Sequence, residues 1–232
     1  MSKICFIVGH GKSKGGGYDP GACSGSFQEF KIAREIAKYA QEYLNANYSE
    51  QCDLMNYNGD LYLTDRIKKV NANTYDFIAE FHLNAGKGIG TECFYYHDSP
   101  TGKKVAQAIT ANISAALGIR DRGAKIRVEN GKDYFAIIRD TKPCATLIET
   151  AFIDSADVDK VKTAAGQKSC GEAVAKAVAS ALGLKKKATT QPTATPPGKL
   201  YRVQVGAFSK RENAEDLLKK LKAAGFDALI TE

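Results

Sequence analysis

At 232 residues, 44% hydrophobic and 25% charged, the chain has the length and composition of one medium soluble α/β domain with a small addition. No apolar run approaches the length of a membrane span, and Met1-Ser2-Lys3 leads straight into an apolar run without the pattern of a secretory leader, so the expectation is synthesis in the cytoplasm. The net charge is +7, and most of the excess lies between Lys185 and Glu232, where ten Lys/Arg stand against five Asp/Glu; such a tail suits a polyanion (nucleic acid, an anionic membrane or an acidic wall polymer) and also suits solubility alone.

The first element is Ile4-Cys5-Phe6-Ile7-Val8, a short apolar run closed by Gly9, which reads as a buried strand. It delivers His10 to the carboxyl end of that strand, where open α/β sheets bind their ligands. Gly11 to Gly25 is a loop. It contains Gly11-Lys12-Ser13, the end of a phosphate-loop pattern, but the glycine required five residues earlier is Phe6, which excludes a nucleotide cradle. From Gln28 to Leu44 the apolar positions Ile32, Ile36, Ala40 and Leu44 recur at helical spacing. Ser26 is the expected N-cap, with Glu29 in capping-box position. Glu29 lies in the first turn after the His10 loop, either as a capping partner or as a functional carboxylate.

Asp53–Met55 reads as a short strand and Thr64–Asn73 as a helix with Ile67 and Val70 inward. Asp76 to His82 is a second strand ending in histidine, followed by Leu83-Asn84-Ala85-Gly86. As parallel neighbours the two strands would bring both imidazoles to one sheet edge, with Glu80 on the face of His82. Thr91–His97 is a further strand and Thr101–Leu117 a helix stopped by Gly118. Arg120–Gly123 looks like a surface loop. Tyr134–Ile138 and Ala145–Ile148 read as the last core strands, the second ending at Glu149 beside Ala151-Phe152-Ile153. Partial burial there would raise the glutamate's pKa and suit it to proton transfer.

Gly166–Leu182 is a closing helix. The six cysteines show no CxxC pair, and several lie in apolar runs, which points to reduced structural thiols rather than disulfides or a cysteine-zinc site. Lys185–Gly198 is a Lys/Thr/Pro linker. Beyond it Leu200–Gly206 alternates like a strand, Asn213–Ala223 is a helix and Phe226–Ile230 a strand, a βαβ fragment too small to bury a core alone.

Two histidines and two glutamates thus converge on one sheet end. His10, Glu29 and His82 would supply three nitrogen and oxygen ligands with a position left open, the arrangement of a catalytic zinc. Zinc would activate a water, and Glu149 would take its proton and pass it to a leaving amine. That is metal-assisted amide hydrolysis.

Motifs spread over residues 4 to about 183 resemble the zinc-dependent N-acetylmuramoyl-L-alanine amidases of the amidase-3 type, found among bacterial autolysins and phage endolysins. They are Val8-Gly9-His10-Gly11 with Asp19-Pro20-Gly21-Ala22, Glu29 with Ile36-Ala37, and Arg66 with Asn71-Ala72-Asn73. They continue as Asp76-Phe77-Ile78 leading to His82-Leu83-Asn84-Ala85, Gly90-Thr91-Glu92 with Tyr95-Tyr96, Gly118 to Gly123, and Leu147 to Ile153. The resemblance implies His10, Glu29 and His82 as ligands of Zn2+, Glu149 as catalytic acid/base, and Asn84 and Arg122 as substrate contacts. Glu80 departs from the family's usual serine, and Asp154-Ser155 replaces its usual Ser-Asn. The stretch Tyr201 to Phe208 opens a segment resembling half of a SPOR peptidoglycan-binding repeat.

The expected fold is α/β, an open twisted and mostly parallel sheet flanked by helices, with the small C-terminal βαβ fragment. Expected domains are a zinc amidase at 1–184, a linker at 185–199 and a partial SPOR-like repeat at 200–232. The expected function is cleavage of the amide between N-acetylmuramic acid and L-alanine of peptidoglycan by zinc-activated water; the alternative is a non-catalytic peptidoglycan-binding protein on the same fold. Expected partners are peptidoglycan and acidic wall polymers, with pairing of two chains through the C-terminal fragment, and neither nucleic acid nor membrane. The protein would act on the wall after release by lysis or a holin-type pore.

Overall fold

A computed structural model describes residues 3–187 and 203–231 of the chain. Its centre is a six-stranded sheet of β1 (Lys3–Val8), β2 (Gln51–Met55), β3 (Phe77–Asn84), β4 (Thr91–Tyr95), β5 (Asp121–Lys125) and β6 (Cys144–Phe152), in the order β2-β1-β3-β6-β4-β5. Strands β2, β1, β3 and β6 run parallel, β4 is antiparallel to β6, and β5 is parallel to β4. The expected mostly parallel α/β sheet is present.

The helices are α1 (Glu29–Asn47), α2 (Leu63–Asn71), α3 (Pro100–Leu117), α4 (Ala136–Arg139), α5 (Val158–Val161), α6 (Ala164–Leu182) and α7 (Arg211–Ala223). Period-two alternation sorts the strand residues between two cores. Ile4, Phe6 and Val8 of β1 and Phe77, Ala79 and Phe81 of β3 pack with α1, α3 and α6. Cys5, Ile7, Ile78 and Leu147 face the other way, toward Val70 of α2 and Ile137 and Ile138 of α4. The same alternation puts Glu80 and His82 on the α2/α4 side. The parallel register aligns Leu147 with Glu80 and Glu149 with His82. On the opposite side α1 and α6 approach closely because Gly171 has no side chain; a Cβ there would stand 2.5 Å from the Ile36 carbonyl oxygen.

Four local expectations are corrected. Helix α1 begins at Glu29 with Gln28 as an uncapped N-cap, so Ser26 is not the cap; the Glu29 carboxylate is engaged by the two histidines and by a loop amide, leaving no capping box. Arg120–Gly123 is not a free loop, since Asp121–Lys125 forms β5 along β4; its polar pattern reflects a half-exposed edge strand. Tyr134–Ile138 is not a strand. A single helical turn, α4, puts the adjacent Ile137 and Ile138 into the same core, whereas a strand would point them to opposite faces. Finally, β6 continues through Phe152, so Glu149 lies within the strand, before an irregularity in its pairing with β3.

The first of two compact units extends from Met1 to Lys187. Lys185–Lys187 are tied to the end of α1: the Lys185 amide donates to Glu50, the Ser49 amide to the Lys185 carbonyl and the Lys187 amide to the Asn47 carbonyl. The second unit is Ala188–Glu232. Its described part contains α7, as expected, but residues 203–208 and 226–231 form no ladder, so the two expected strands are absent among the described residues. A strand exists only by pairing, and among the described residues these segments have no partner. The linker from 188 to 199 and Leu200–Arg202 lie outside the described residues. All six cysteines are free, and Cys5, Cys52, Cys93 and Cys170 are buried. No helix among the described residues is long and apolar enough to cross a membrane.

Candidate metal centre and active site

Strand β1 ends at Val8, and the next two residues turn out of the sheet. Gly9 donates its amide to the Phe81 carbonyl, so the turn stays pinned to β3. His10 adopts a left-handed φ of 60°, unusual for a side-chain-bearing residue. Its carbonyl is held by Asn56 Nδ2 at 2.8 Å and Arg66 Nη1 at 3.0 Å, and the same Asn56 nitrogen donates to the Val8 carbonyl. These donors stabilise a backbone conformation that would otherwise relax. A Cβ on Gly9 would run into the His82 ring, so only glycine lets the two strand ends approach this closely.

Glu29, at the first turn of α1, is buried. Its Oε2 accepts the Ala22 amide at 2.7 Å and its Oε1 the Leu83 amide at 3.1 Å. That fixes Oε1 between the two imidazoles, 3.2 Å from His10 Nε2 and 2.8 Å from His82 Nδ1. Burial by itself would raise the Glu29 pKa, but hydrogen bonds from His10 and His82 outweigh it and hold the carboxyl well below the usual range.

The rings of His10 and His82 lie 4.9 Å apart at 76°. One ligand atom from each of His10, Glu29 and His82 falls within 4.8 Å of the others, a group that could hold a metal ion. The remaining ring nitrogens face carboxylates: His10 Nδ1 is 2.9 Å from Asp19 Oδ2 and His82 Nε2 is 3.2 Å from Glu80 Oε2. Metal-binding histidines characteristically present one nitrogen to the ion and the other to a carboxylate or carbonyl. Two imidazoles and one carboxylate suit a borderline cation such as zinc, so the donor set fits. Without the ion, burial lowers the affinity of His82 for a proton, yet Glu29 and Glu80 together raise its pKa well above the ordinary imidazole value.

Glu80 is fully enclosed and forms a 2.9 Å ion pair with Arg66 Nε, itself buried. Arg66 lies on the apolar stripe of α2, between Leu63 and Val70 at helical spacing. It therefore reaches both His10, through the carbonyl, and His82, through Glu80.

Glu149 stands beside His82 in register on the adjacent strand. Its Oε2 is buried without a hydrogen-bond partner among the described residues. Desolvation raises its pKa to about 7; the His82 charge opposes the rise, and Glu29 and Glu92 add to it. A carboxyl titrating near neutrality can both accept and donate a proton at working pH.

A cleft of about 390 Å³ opens over these groups, lined among others by His10, Glu29, His82, Asn84 and Glu149, with Lys12, Tyr62 and Phe135 on its walls. Asn84 donates to Glu92 Oε1 at 2.8 Å. Arg122 is not among the cleft-lining residues. It pairs with Glu92 Oε2, as does Lys125, and its guanidinium lies 5.0 Å over the Phe152 ring. Asp154 Oδ2 accepts the Gly86 and Lys87 amides and so shapes the loop after β3.

All four proposed chemistry-bearing residues, His10, Glu29, His82 and Glu149, line the one cleft. Sequence reasoning did not assign roles to Asp19, Arg66 or Asn56. A signal existed for Arg66, a cation placed on an apolar helical stripe. Asp19 had a weaker one: a metal-binding histidine needs a partner for its second nitrogen.

Residues 4–180 match the family described as Amidase_3, N-acetylmuramoyl-L-alanine amidase, and residues 168–232 match the SPOR domain. The chain is 32% identical over 99% of its length to the sporulation-specific N-acetylmuramoyl-L-alanine amidase of Bacillus subtilis, covering 84% of that protein. It is 31% identical, also over 99% of its length, to the N-acetylmuramoyl-L-alanine amidase CwlM of Bacillus licheniformis, covering 85% of it. Among solved structures, an N-acetylmuramoyl-L-alanine amidase from Clostridium difficile 630 superposes with a TM-score of 0.67 at 28% identity, over 78% of this chain and 97% of that one.

Proposed function

The chain belongs to the Amidase_3 family of N-acetylmuramoyl-L-alanine amidases, and from that premise we propose that it cleaves the amide between N-acetylmuramic acid and L-alanine with zinc held by His10, Glu29 and His82 and with Glu149 as proton carrier. The observation that supports this reading most is the convergence of three ligand atoms next to an unpartnered glutamate oxygen whose pKa is about 7. The non-catalytic alternative has no feature in its favour, because each group the chemistry needs is present in one cleft.

When bound, zinc supplies Lewis acidity toward the scissile carbonyl and toward a water. The chain's own residues do the rest. Asp19 stands at His10 Nδ1 and Glu80 at His82 Nε2, which would leave His10 Nε2 and His82 Nδ1 to hold the ion. Glu149 accepts the proton of the attacking water and delivers it to the departing L-alanine nitrogen, a transfer suited to a group poised near pH 7. Asn84, oriented by Glu92, offers the cleft a polar contact for the substrate. Arg122 contributes from the neighbouring Glu92 network.

The domain reading places the amidase at 1–184, a linker at 185–199 and a wall-binding segment at 200–232. The SPOR match supports the last assignment. Exposed Val203, Val205, Phe208, Phe226 and Leu229 support the further reading that two chains pair through this segment, and the positive tail supports contact with acidic wall polymers. A strictly monomeric protein in light scattering across a concentration series would remove the pairing.

The test of the activity is digestion of purified peptidoglycan with and without a chelator, the fragments being identified by mass spectrometry. New L-alanine amino termini that disappear with the chelator are expected. Reducing sugars or D-amino-acid termini in their place would refute the bond assignment.

A further inference from the structure

The Arg66–Glu80 pair lies beneath the metal-binding group and takes no direct part in the proton transfer. Both side chains are buried, Arg66 at 5% and Glu80 at 2% exposure, where a carboxylate and a guanidinium survive only by satisfying each other and their neighbours. Their partners are the two histidines. Glu80 Oε1 pairs with Arg66 Nε, and Glu80 Oε2 stands 3.2 Å from His82 Nε2. Arg66 Nη1 donates at 3.0 Å to the His10 carbonyl and at 3.0 Å to the Leu61 carbonyl.

Resting on the zinc reading above, we propose that Glu80 and Arg66 are positioning residues that tie the two histidine ligands into one unit. Glu80 accepts the Nε2–H of His82, which commits that ring to the tautomer with Nδ1 free for the ion. Arg66 fixes the orientation of Glu80 through the 2.9 Å ion pair, and its Nη1 holds the left-handed turn that presents His10. The geometry favours this over direct ligation by Glu80. Its Oε2 faces the ring nitrogen opposite the one beside Glu29, and its other oxygen is occupied by Arg66.

Two variants test the proposal. Glu80→Gln retains a carbonyl acceptor for the His82 Nε2–H but loses the charge. The double change Arg66→Met with Glu80→Met removes acceptor and cation together, leaving no unpaired buried charge and keeping the fold in reach. Zinc affinity is measured by competition with a chromophoric chelator, and the His82 nitrogen that carries the proton is read by 15N NMR on the zinc-loaded protein. The double variant is expected to bind zinc about 10- to 100-fold more weakly, the range for losing a carboxylate behind a ligand. It is also expected to show loss or mixing of the Nε2–H signal. Glu80→Gln is expected to keep that signal and to lose affinity by a smaller factor.

Unchanged affinity and an unchanged Nε2–H signal in a folded double variant would overturn the proposal, because a merely structural pair would lower thermal stability alone. Should the double variant not fold, unchanged affinity in Glu80→Gln overturns it equally. Wild-type zinc binding, lost in His82→Ala, is the control: its failure would strike the metal reading itself.

Discussion

Replacing Glu149 by glutamine should stabilise the metal-free protein at alkaline pH while removing its activity. The wild-type carboxyl is desolvated, its Oε2 has no hydrogen-bond partner among the described residues, and its pKa is raised from 4.5 to about 7. A carboxyl whose folded pKa lies above its unfolded one binds its proton more tightly when folded. Its charge therefore costs nothing below the unfolded pKa, costs more as pH rises from 4.5 to about 7, and reaches a plateau beyond. At pH 8 the full shift corresponds to a ceiling of about 3 kcal/mol. Residue 149 is only partly enclosed, and solvent screening reduces this to about 1–2 kcal/mol. For a unit of this size that is a rise of about 3–6 °C in Tm.

The assay is thermal unfolding of metal-stripped wild type and Glu149→Gln at pH 5 and at pH 8. The amide costs the same at both pH values, so the change in the difference isolates the charge. The variant is expected to gain stability relative to wild type between pH 5 and pH 8, and its turnover with zinc restored is expected to fall by about 10²- to 10⁴-fold. A stability difference that does not change with pH would refute the buried-charge argument. Retained turnover would remove Glu149 from the proton transfer.

Three further outcomes are expected. Gly9→Ala drives a methyl group into the His82 ring and should cost about 1–3 kcal/mol of stability and weaken zinc binding; calorimetric zinc titration at wild-type affinity would contradict the close-approach argument. His97, away from the cleft, is hydrogen-bonded at 2.7 Å to Asp133, which raises its pKa above 6.5. The stabilisation is therefore present below that value and lost as pH rises through the raised one, so His97→Gln should speed proteolysis within residues 126–135 at pH 5.5 and not at pH 9; equal effects at both would deny the ion pair. A chain ending at Lys187 keeps the compact unit and both cores, and should retain turnover on soluble muropeptides while binding less to intact peptidoglycan; loss of turnover on the soluble substrate would show that the unit depends on residues 188–232.

Much of the fold was legible because it rests on local periodicity. The apolar runs at Ile4–Val8 and Phe77–Phe81, the helical stripes of α1, α3 and α6, and the stop at Gly118 all follow from burial of one face or both. The histidines closing two apolar runs and the glutamates on a neighbouring helix and strand were visible for the same reason, although β3 continues past His82 to Asn84. The misread segments were those whose conformation depends on a partner distant in sequence. Asp121–Lys125 is a strand only because β4 offers it an edge, and Ile137 and Ile138 are helical because both must cover β6. Residues 203–208 and 226–231 show the converse: alternation suited to a strand, with no pairing neighbour among the described residues.

By itself, then, the amino-acid sequence determined which residues of the main strands and long helices face inward, since alternation and helical spacing are properties of the chain alone. Only the tertiary structure decided who meets whom. The β1–β3–β6 register set Glu149 beside His82, the Gly9 turn brought His10 within reach of Glu29, and Arg66 claimed Glu80. The physical reason is that parallel register and buried ion pairing are settled by closing long loops around a shared core, and no local pattern encodes which of several equivalent partners that closure selects.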